Sequence, residues 1–309
     1  MKVLIVGGVA GGASTAARLR RVDESAEIIM LEKGPYVSFA NCGLPYHIGG
    51  TIQDRDQLLV ITPKDLKDLL NVEARINSEV LSVDRQNKTV TVKDLTAGRE
   101  YQENYDKLVL ATGAVPIIPP LPGVDLPGVY VLHNIPEMDA IENYLADKSP
   151  KRVVVVGGGY VGLEIAENLA DKGLQVSVVE MLNQIMAPVD FELAAVVHHH
   201  LAFHKVGLVL GDGLKSIEKV DADGSLQVNL ASGEALPTDM VVLAIGVRPE
   251  TSLAKAAGLE LGVRGTIVTN DQMQTSDPDI YAVGDDAQVT HNILKQPTFL
   301  ALAGPASRE

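Results

Sequence analysis

The chain has no tryptophan, a single cysteine, and aromatic residues at only 4% of its 309 positions. With so few aromatic faces, ligands must be held largely by backbone rather than by stacking. The lone Cys42 excludes a disulfide framework and a dithiol relay within one chain. Redox chemistry at its sulfur therefore needs a partner from outside the chain. Cations are also scarce: 26 Lys and Arg stand against 40 Asp and Glu, a net charge of -14. Such a surface repels polyanions, so neither nucleic acid nor an anionic membrane is an expected partner. The opening apolar run, Val3 to Ala10, is broken by Gly7 and Gly8 and followed by Gly11 and Gly12, and no longer apolar segment follows. The expectation is a soluble, cytoplasmic protein.

Glycine is abundant, with 28 residues, and 46% of the chain is hydrophobic. That suits tightly turned α/β units and supplies apolar surface for two modest domains. Two stretches share one grammar: an apolar run, a glycine cluster, a helical pattern, a second apolar run and a terminal glutamate. The first runs from Val3 to Glu32 (VLIVGG, VAGGASTAARLRR, EIIMLE) and the second from Arg152 to Glu180 (RVVVVGGG, YVGLEIAENLADKG, QVSVVE). Each is followed later by a near-identical string, KLVLATGAVP at Lys107–Pro116 and MVVLAIGVRP at Met240–Pro249. Four matched segments in matched order point to an internal duplication of a nucleotide-binding βαβ unit. The proline-rich stretch from Ala114 to Pro127 reads as a connector, and short apolar runs at 265–268 and 280–284 read as late strands returning to the first unit. The predicted fold class is α/β with two Rossmann-like dinucleotide-binding domains. The first is discontinuous, residues 1–113 plus 249–309; the second is residues 114–248.

In the first unit Gly7, Gly8, Val9, Ala10, Gly11 and Gly12 form a G-x-x-x-x-G turn, with Val9 where the usual middle glycine stands. Gly7 permits the tight strand-to-helix turn and Gly12 a close helix packing, so the helix N-terminus can present N–H groups to a pyrophosphate. Glu32 is placed to accept from a ribose diol. In the second unit Gly157, Gly159 and Gly162 complete the G-x-G-x-x-G fingerprint. Glu180 would accept from a ribose 2'-hydroxyl and repel a 2'-phosphate, and the following MLNQIM offers no Arg or Lys to that phosphate. NADH is therefore favoured over NADPH. Near the C-terminal end, Asp285 follows a strand and a glycine turn, where a carboxylate can bind sugar-like hydroxyls or cap a following helix.

These motifs, together with the string SFANCGLPY from Ser38 to Tyr46, resemble the pyridine nucleotide-disulfide oxidoreductases, with a glutathione reductase-like FAD/NAD(P)-binding fold. The resemblance covers essentially the whole chain. It is strongest to the single-cysteine branch, which holds coenzyme A disulfide reductases, NADH-dependent persulfide reductases, and NADH oxidases and peroxidases. It implies that Gly7 through Gly12, Glu32, Lys33, Thr112, Gly113 and Asp285 hold FAD, with Asp285 on the ribitol. It implies that Gly157, Gly159, Gly162 and Glu180 hold NADH, that Tyr160 is an aromatic gate over the flavin with Glu164 one turn beyond, and that Gly246 approaches the nicotinamide. Cys42 would face the opposite side of the flavin ring and act as the nucleophile, since the thiolate is the reactive form of a cysteine. Without a second cysteine its oxidised forms are a mixed disulfide, a persulfide or a sulfenic acid. The resemblance also implies that a C-terminal dimerisation domain is lacking here, and a homodimer is expected only where that domain is present.

Arg18, Arg20 and Arg21 could bind the phosphates of a coenzyme A adduct, and Arg18 and Arg21, with Ser38 and Asn41, resemble the coenzyme A contacts of the family, making coenzyme A a candidate substrate or bound thiol. Two readings of the arginines stand: phosphate contacts, or cations that meet the dipole at the end of the first helix. His198, His199, His200 and His204 are read as a solvated helix face, and no metal site is expected, since no fixed third ligand accompanies the i, i+4 pair. The functional expectation is an FAD-dependent NADH oxidoreductase that reduces coenzyme A disulfide, persulfide or polysulfide through Cys42. The alternatives are an NADH oxidase or peroxidase cycling through a sulfenic acid, a flavin reductase of a protein partner such as ferredoxin or rubredoxin, and a non-catalytic dinucleotide-binding fragment.

Overall fold

The computed structural model describes residues 1–220 and 224–309. Its chain divides into two compact units: residues 1–39, 59–115 and 248–309 form one, and residues 40–58 and 116–247 the other.

The first unit is built on a five-stranded parallel sheet, in the order Ile280–Ala282, Lys107–Leu110, Lys2–Val6, Glu27–Leu31, Val72–Arg75. Its central strands are continuous apolar runs because both faces are covered. Leu4, Val6, Ile29 and Leu31 enter one core cluster, while Val3, Ile5, Ile28 and Met30 enter another. The helix Ala10–Val22 follows the first strand and ends in Arg20 and Arg21. Arg20 closes that end: its guanidinium donates to the carbonyls of Leu70, Asp23, Glu24, Ala26 and Asn71 at 2.6–3.2 Å.

The second unit repeats this plan. Its parallel sheet runs Gly207–Leu210, Gln175–Glu180, Arg152–Val156, Met240–Leu243, Val129–Tyr130. The central registers correspond: Val3 pairs with Ile28 and Lys107, and Val153 with Val176 and Met240. The duplication extends to an element that periodicity did not reveal, a three-stranded antiparallel sheet in each unit. In the first unit its strands are Ser78–Asp84, Thr89–Asp94 and Arg99–Asn104, and in the second Leu214–Lys219, Leu226–Leu230 and Ala235–Thr238. Both carry a register shift in the first strand, at Val80/Ser82 and at Leu214/Ser216.

Of the two expected late strands, Ile280–Ala282 joins the first parallel sheet, whereas Ile267–Val268 pairs with Ala287–Gln288 in a separate small sheet. Residues 40–58 differ from the division expected from sequence, which kept them with the first unit. They pack with the second because the helix Leu44–Gly49 lies against the helix Tyr160–Asp171, so closely that a Cβ on Gly49 would stand 2.0 Å from Asn168 Oδ1. Among the described residues, no helix is long and apolar enough to cross a membrane.

Candidate functional site: two glycine loops and an exposed cysteine

In the first unit, the strand Lys2–Val6 turns into its helix at Gly7, whose φ of +100° and close approach to the Ala111 carbonyl exclude a side chain; a Cβ there would lie 2.0 Å from that oxygen. Gly12 seats the helix on the turn, since its Cβ would lie 1.9 Å from Gly7 O. Val9 occupies the cap position with φ -94°, so the left-handed conformation that favours glycine is not required there. Among the described residues no side chain caps this helix, whose first-turn N–H groups have no intrahelical acceptor. Glu32 braces the loop: Oε2 accepts from Gly8 N at 2.7 Å and Oε1 from Gly34 N at 2.7 Å. Burial pushes its carboxyl up while the two amides pull it down, and burial dominates. Lys33 pairs with Glu79 at 2.7 Å.

The second unit reproduces this arrangement. Gly157 has φ +112° and lies against Ala244 O, and Gly162 packs on Gly157 O. Glu180 Oε2 accepts from Gly158 N at 2.8 Å and Oε1 from Leu182 N at 2.8 Å. The helix beginning at Tyr160 also lacks a side-chain cap. One difference is decisive for access: a Cβ on Gly159 would meet nothing within 4 Å, and Gly159, Tyr160 and Val161 are all exposed.

The late turns correspond as well. Gly113 O accepts from Glu250 N at 2.8 Å in the first unit, and Gly246 O accepts from Ile117 N at 2.9 Å in the second. Asp285 is half-buried after Gly284. Its neighbour Asp286, which the sequence reading passed over, is fully buried; its Oδ2 accepts from the Thr112 amide at 2.7 Å and lies 2.5 Å from the Thr112 hydroxyl oxygen. The repeated acid at 285–286 was the available signal.

Cys42 is exposed in the turn Asn41–Gly43 that leads into the helix Leu44–Gly49. Polar contacts to one neighbouring segment hold this region in place. Asn41 donates to His133 O at 3.1 Å, Arg55 forms a two-pronged pair with Asp139 at 2.9 and 2.7 Å, and His47 Nε2 stands 3.4 Å from Glu142. Tyr46 follows one turn after Cys42, and its hydroxyl is pushed up chiefly by the charge of Glu164, then by burial, by Glu167 and by Cys42. Glu164 is itself pushed up by burial and by Glu167. Cys42, Tyr46 and Glu164 therefore share one neighbourhood of the second unit.

Ser38 lies in the first unit at φ +45°, fixed by bonds from its amide to Gly8 O and to its carbonyl from Val60 N. Arg18 and Arg21 are exposed and form no ion pair among the described residues, while Arg20, weighed with them as a phosphate contact, donates to main-chain carbonyls at the helix end. The histidines are accounted for in part: His198 Nε2 accepts from Ile185 N at 3.3 Å, and the rings of His200 and His204 lie 4.5 Å apart. Among the described residues, no three His, Cys, Asp or Glu side chains are grouped to hold a metal.

The family model described as pyridine nucleotide-disulphide oxidoreductase matches residues 1–299. An NADH oxidase of Methanocaldococcus jannaschii is 36% identical over 310 aligned positions, covering all of this chain and 68% of that protein. The crystal structure of reduced CoADR-RHD from Bacillus anthracis superposes with a TM-score of 0.96 at 49% identity, covering 99% of this chain and 55% of that one. An NAD-dependent persulfide reductase from A. fulgidus gives 0.95 at 35% identity, with 100% and 57% covered. The chain thus spans between about half and two thirds of these relatives. With the duplicated glycine loops, their bracing glutamates and these matches over nearly all of its length, the chain belongs to the pyridine nucleotide-disulphide oxidoreductases, a family of FAD-dependent, NADH-using enzymes.

Proposed function

We propose that this chain is the cofactor-binding portion of an FAD-dependent NADH oxidoreductase that reduces coenzyme A disulfide, persulfide or polysulfide through Cys42. The observation that carries this reading is the exposure of the lone thiol at a turn fixed by Asn41, Arg55 and His47. A cysteine kept for packing would be buried.

The residues present fit one dinucleotide per unit. Gly7 to Gly12, Glu32, Lys33, Thr112, Gly113 and Asp285 are assigned to FAD. Gly157, Gly159, Tyr160, Gly162, Glu164, Glu180 and Gly246 are assigned to NADH. Support comes from the two uncapped helix starts and from the two glutamates that hold the second loop glycine by its amide. When bound, FAD accepts the hydride of NADH and passes the electron pair onward. The chain's own chemistry is at sulfur. The Cys42 thiolate attacks one sulfur of RSSR, a new S–S bond forms, and RS⁻ leaves. The electron pair then cleaves the mixed disulfide, restoring the Cys42 thiolate and releasing the second RS⁻. The balance is NADH + H⁺ + RSSR → NAD⁺ + 2 RSH. Arg18, Arg21, Ser38 and Asn41 are proposed to contact the substrate, a small-molecule thiol compound.

An anaerobic NADH titration of the FAD-loaded protein after mild oxidation tests this. Wild type should take up about one molar equivalent of NADH more than Cys42→Ser, because Cys42 is a second, two-electron redox centre. Equal uptake would leave simple flavin electron transfer. A second reading, NADH oxidase chemistry with Cys42 cycling through a sulfenic acid, is favoured by the name of the archaeal relative. Product analysis separates the two, water or peroxide against free thiol.

A further inference from the structure

The side chain of Thr112 makes a contact that its single hydroxyl hydrogen cannot satisfy. Thr112 Oγ1 lies 2.5 Å from the carbonyl oxygen of Glu250 and 2.5 Å from Asp286 Oδ2. A carbonyl only accepts, so the hydroxyl hydrogen belongs to Glu250, and the hydrogen in the second contact must come from the carboxyl. We propose that Asp286 is held as a neutral carboxylic acid and, through Thr112, positions the Ala111–Gly113 turn that the function proposed above assigns to FAD. The inference rests on that reading for its ligand, though not for its proton.

The surroundings agree. Asp286 is 0% exposed, and among the described residues its Oδ1 has no hydrogen-bond partner. An ionised carboxylate there would leave a buried charge with one oxygen unpaired, whereas a neutral acid leaves only an uncharged carbonyl oxygen unpaired. The charged group that acts on it is acidic: Asp285 is adjacent, and Glu309 accepts from Gly284 N at 2.6 Å, two residues before Asp286. Oδ2 also accepts from Thr112 N at 2.7 Å, so one carboxyl oxygen both donates and accepts to the same residue. Burial pushes the carboxyl up to about 8 against the opposing bonds from Thr112 and Gly113, and Asp285 adds to the rise.

The sign of the consequence is fixed. The native chain keeps the proton between the ordinary aspartate value of 3.8 and about 8, whereas the unfolded chain has released it. The folding equilibrium therefore weakens about tenfold per pH unit through that window on account of Asp286. The proposal places the carboxyl beside a ligand that carries an anionic pyrophosphate, so ionisation above pH 8 should also oppose FAD binding.

The test compares wild type, Asp286→Asn and Thr112→Val by urea unfolding of the ligand-free chain and by FAD titration with flavin fluorescence, from pH 5.5 to 9.5. Asparagine can accept from Thr112 N and donate to Thr112 Oγ1, as the neutral acid does. Relative to Asp286→Asn, the wild-type unfolding constant should rise about tenfold per pH unit up to pH 8. FAD should bind the asparagine variant within about threefold of wild type at pH 6, and only wild type should lose at least about tenfold in affinity between pH 7.5 and 9.5. Thr112→Val should weaken FAD binding at every pH, with the wild-type unfolding slope retained. Parallel unfolding profiles for wild type and Asp286→Asn would overturn the protonation, and loss of FAD from Asp286→Asn at pH 6 would show that an ionised carboxylate is required. Failure of wild type to bind FAD at any pH would sink the functional reading while the unfolding slopes still decide the proton.

Discussion

Replacing Glu180 with glutamine should change nucleotide preference far more than stability. In the structure this carboxylate accepts from Gly158 N and Leu182 N at 2.8 Å each, and it is the acid expected to meet the adenosine ribose. Glutamine keeps one acceptor oxygen and loses the charge. A charge-assisted bond is worth roughly 1.5–3 kcal/mol and a neutral one about 0.5–1.5, so NADH should lose about 1.4 kcal/mol, or about tenfold in Kd. A 2'-phosphate instead gains. One unit of repulsion at 4 Å amounts to about 4 kcal/mol at an effective dielectric of 20, and half of that after screening is still worth about thirtyfold. The NADH-to-NADPH preference should therefore fall by at least about a hundredfold. One loop amide loses its acceptor, costing about 1 kcal/mol and lowering the melting temperature by about 2–4 °C. Isothermal titration of the FAD-loaded protein with each nucleotide reads the outcome directly. Affinities for both nucleotides within twofold of wild type would refute the placement of Glu180 at the ribose.

Two further substitutions separate packing from ligand contact. Gly12→Ala should destabilise the first unit and abolish FAD retention, because its Cβ would stand 1.9 Å from the Gly7 carbonyl and backbone would have to move; Gly159→Ala, with open space around it, should leave urea unfolding unchanged within about 0.5 kcal/mol while weakening NADH in the titration. Arg20→Met should keep the packing of the side-chain stem but strip five carbonyls of their donor, at a cost of about 3 kcal/mol, seen as a melting-temperature drop of roughly 6–12 °C. A drop under 2 °C would mean that water replaces the guanidinium without loss.

What the sequence made legible is what glycine and burial impose locally. Gly7 and Gly12 are recognisable because no other residue fits those backbone positions, and the strands Lys2–Val6 and Arg152–Val156 because burial on both faces forces unbroken apolar runs. The paired glutamates followed from their position at the end of the second strand. The antiparallel sheets were missed although Val90 and Val92 alternate inward, since a solvated face there mixes charges and dilutes the pattern. Nothing local could place residues 40–58 in the second unit or join Asp286 to Thr112 across 174 positions. Both depend on tertiary contacts between segments with no shared periodicity. The role of Arg20 was hidden in the same way, because two of its five acceptors, Leu70 and Asn71, lie about fifty residues away.

The duplication also explains why two loops of one design would hold their ligands differently. Gly8 and Gly158 are both walled in, by Val37 and by Ile185, and both are tied to a glutamate. The next residues diverge. Val9 and Ala10 are half-buried and Glu32 is sunk far enough that burial raises its carboxyl, whereas Gly159 and Tyr160 stand exposed. A loop with a partly desolvated acid and little open surface favours a ligand that is rarely released, because re-entry must displace packed side chains. A loop with a bare glycine and an exposed tyrosine at its mouth favours one that exchanges on every turnover. The assignment proposed above, FAD in the first unit and NADH in the second, is the one under which each loop's burial would match the residence its ligand needs.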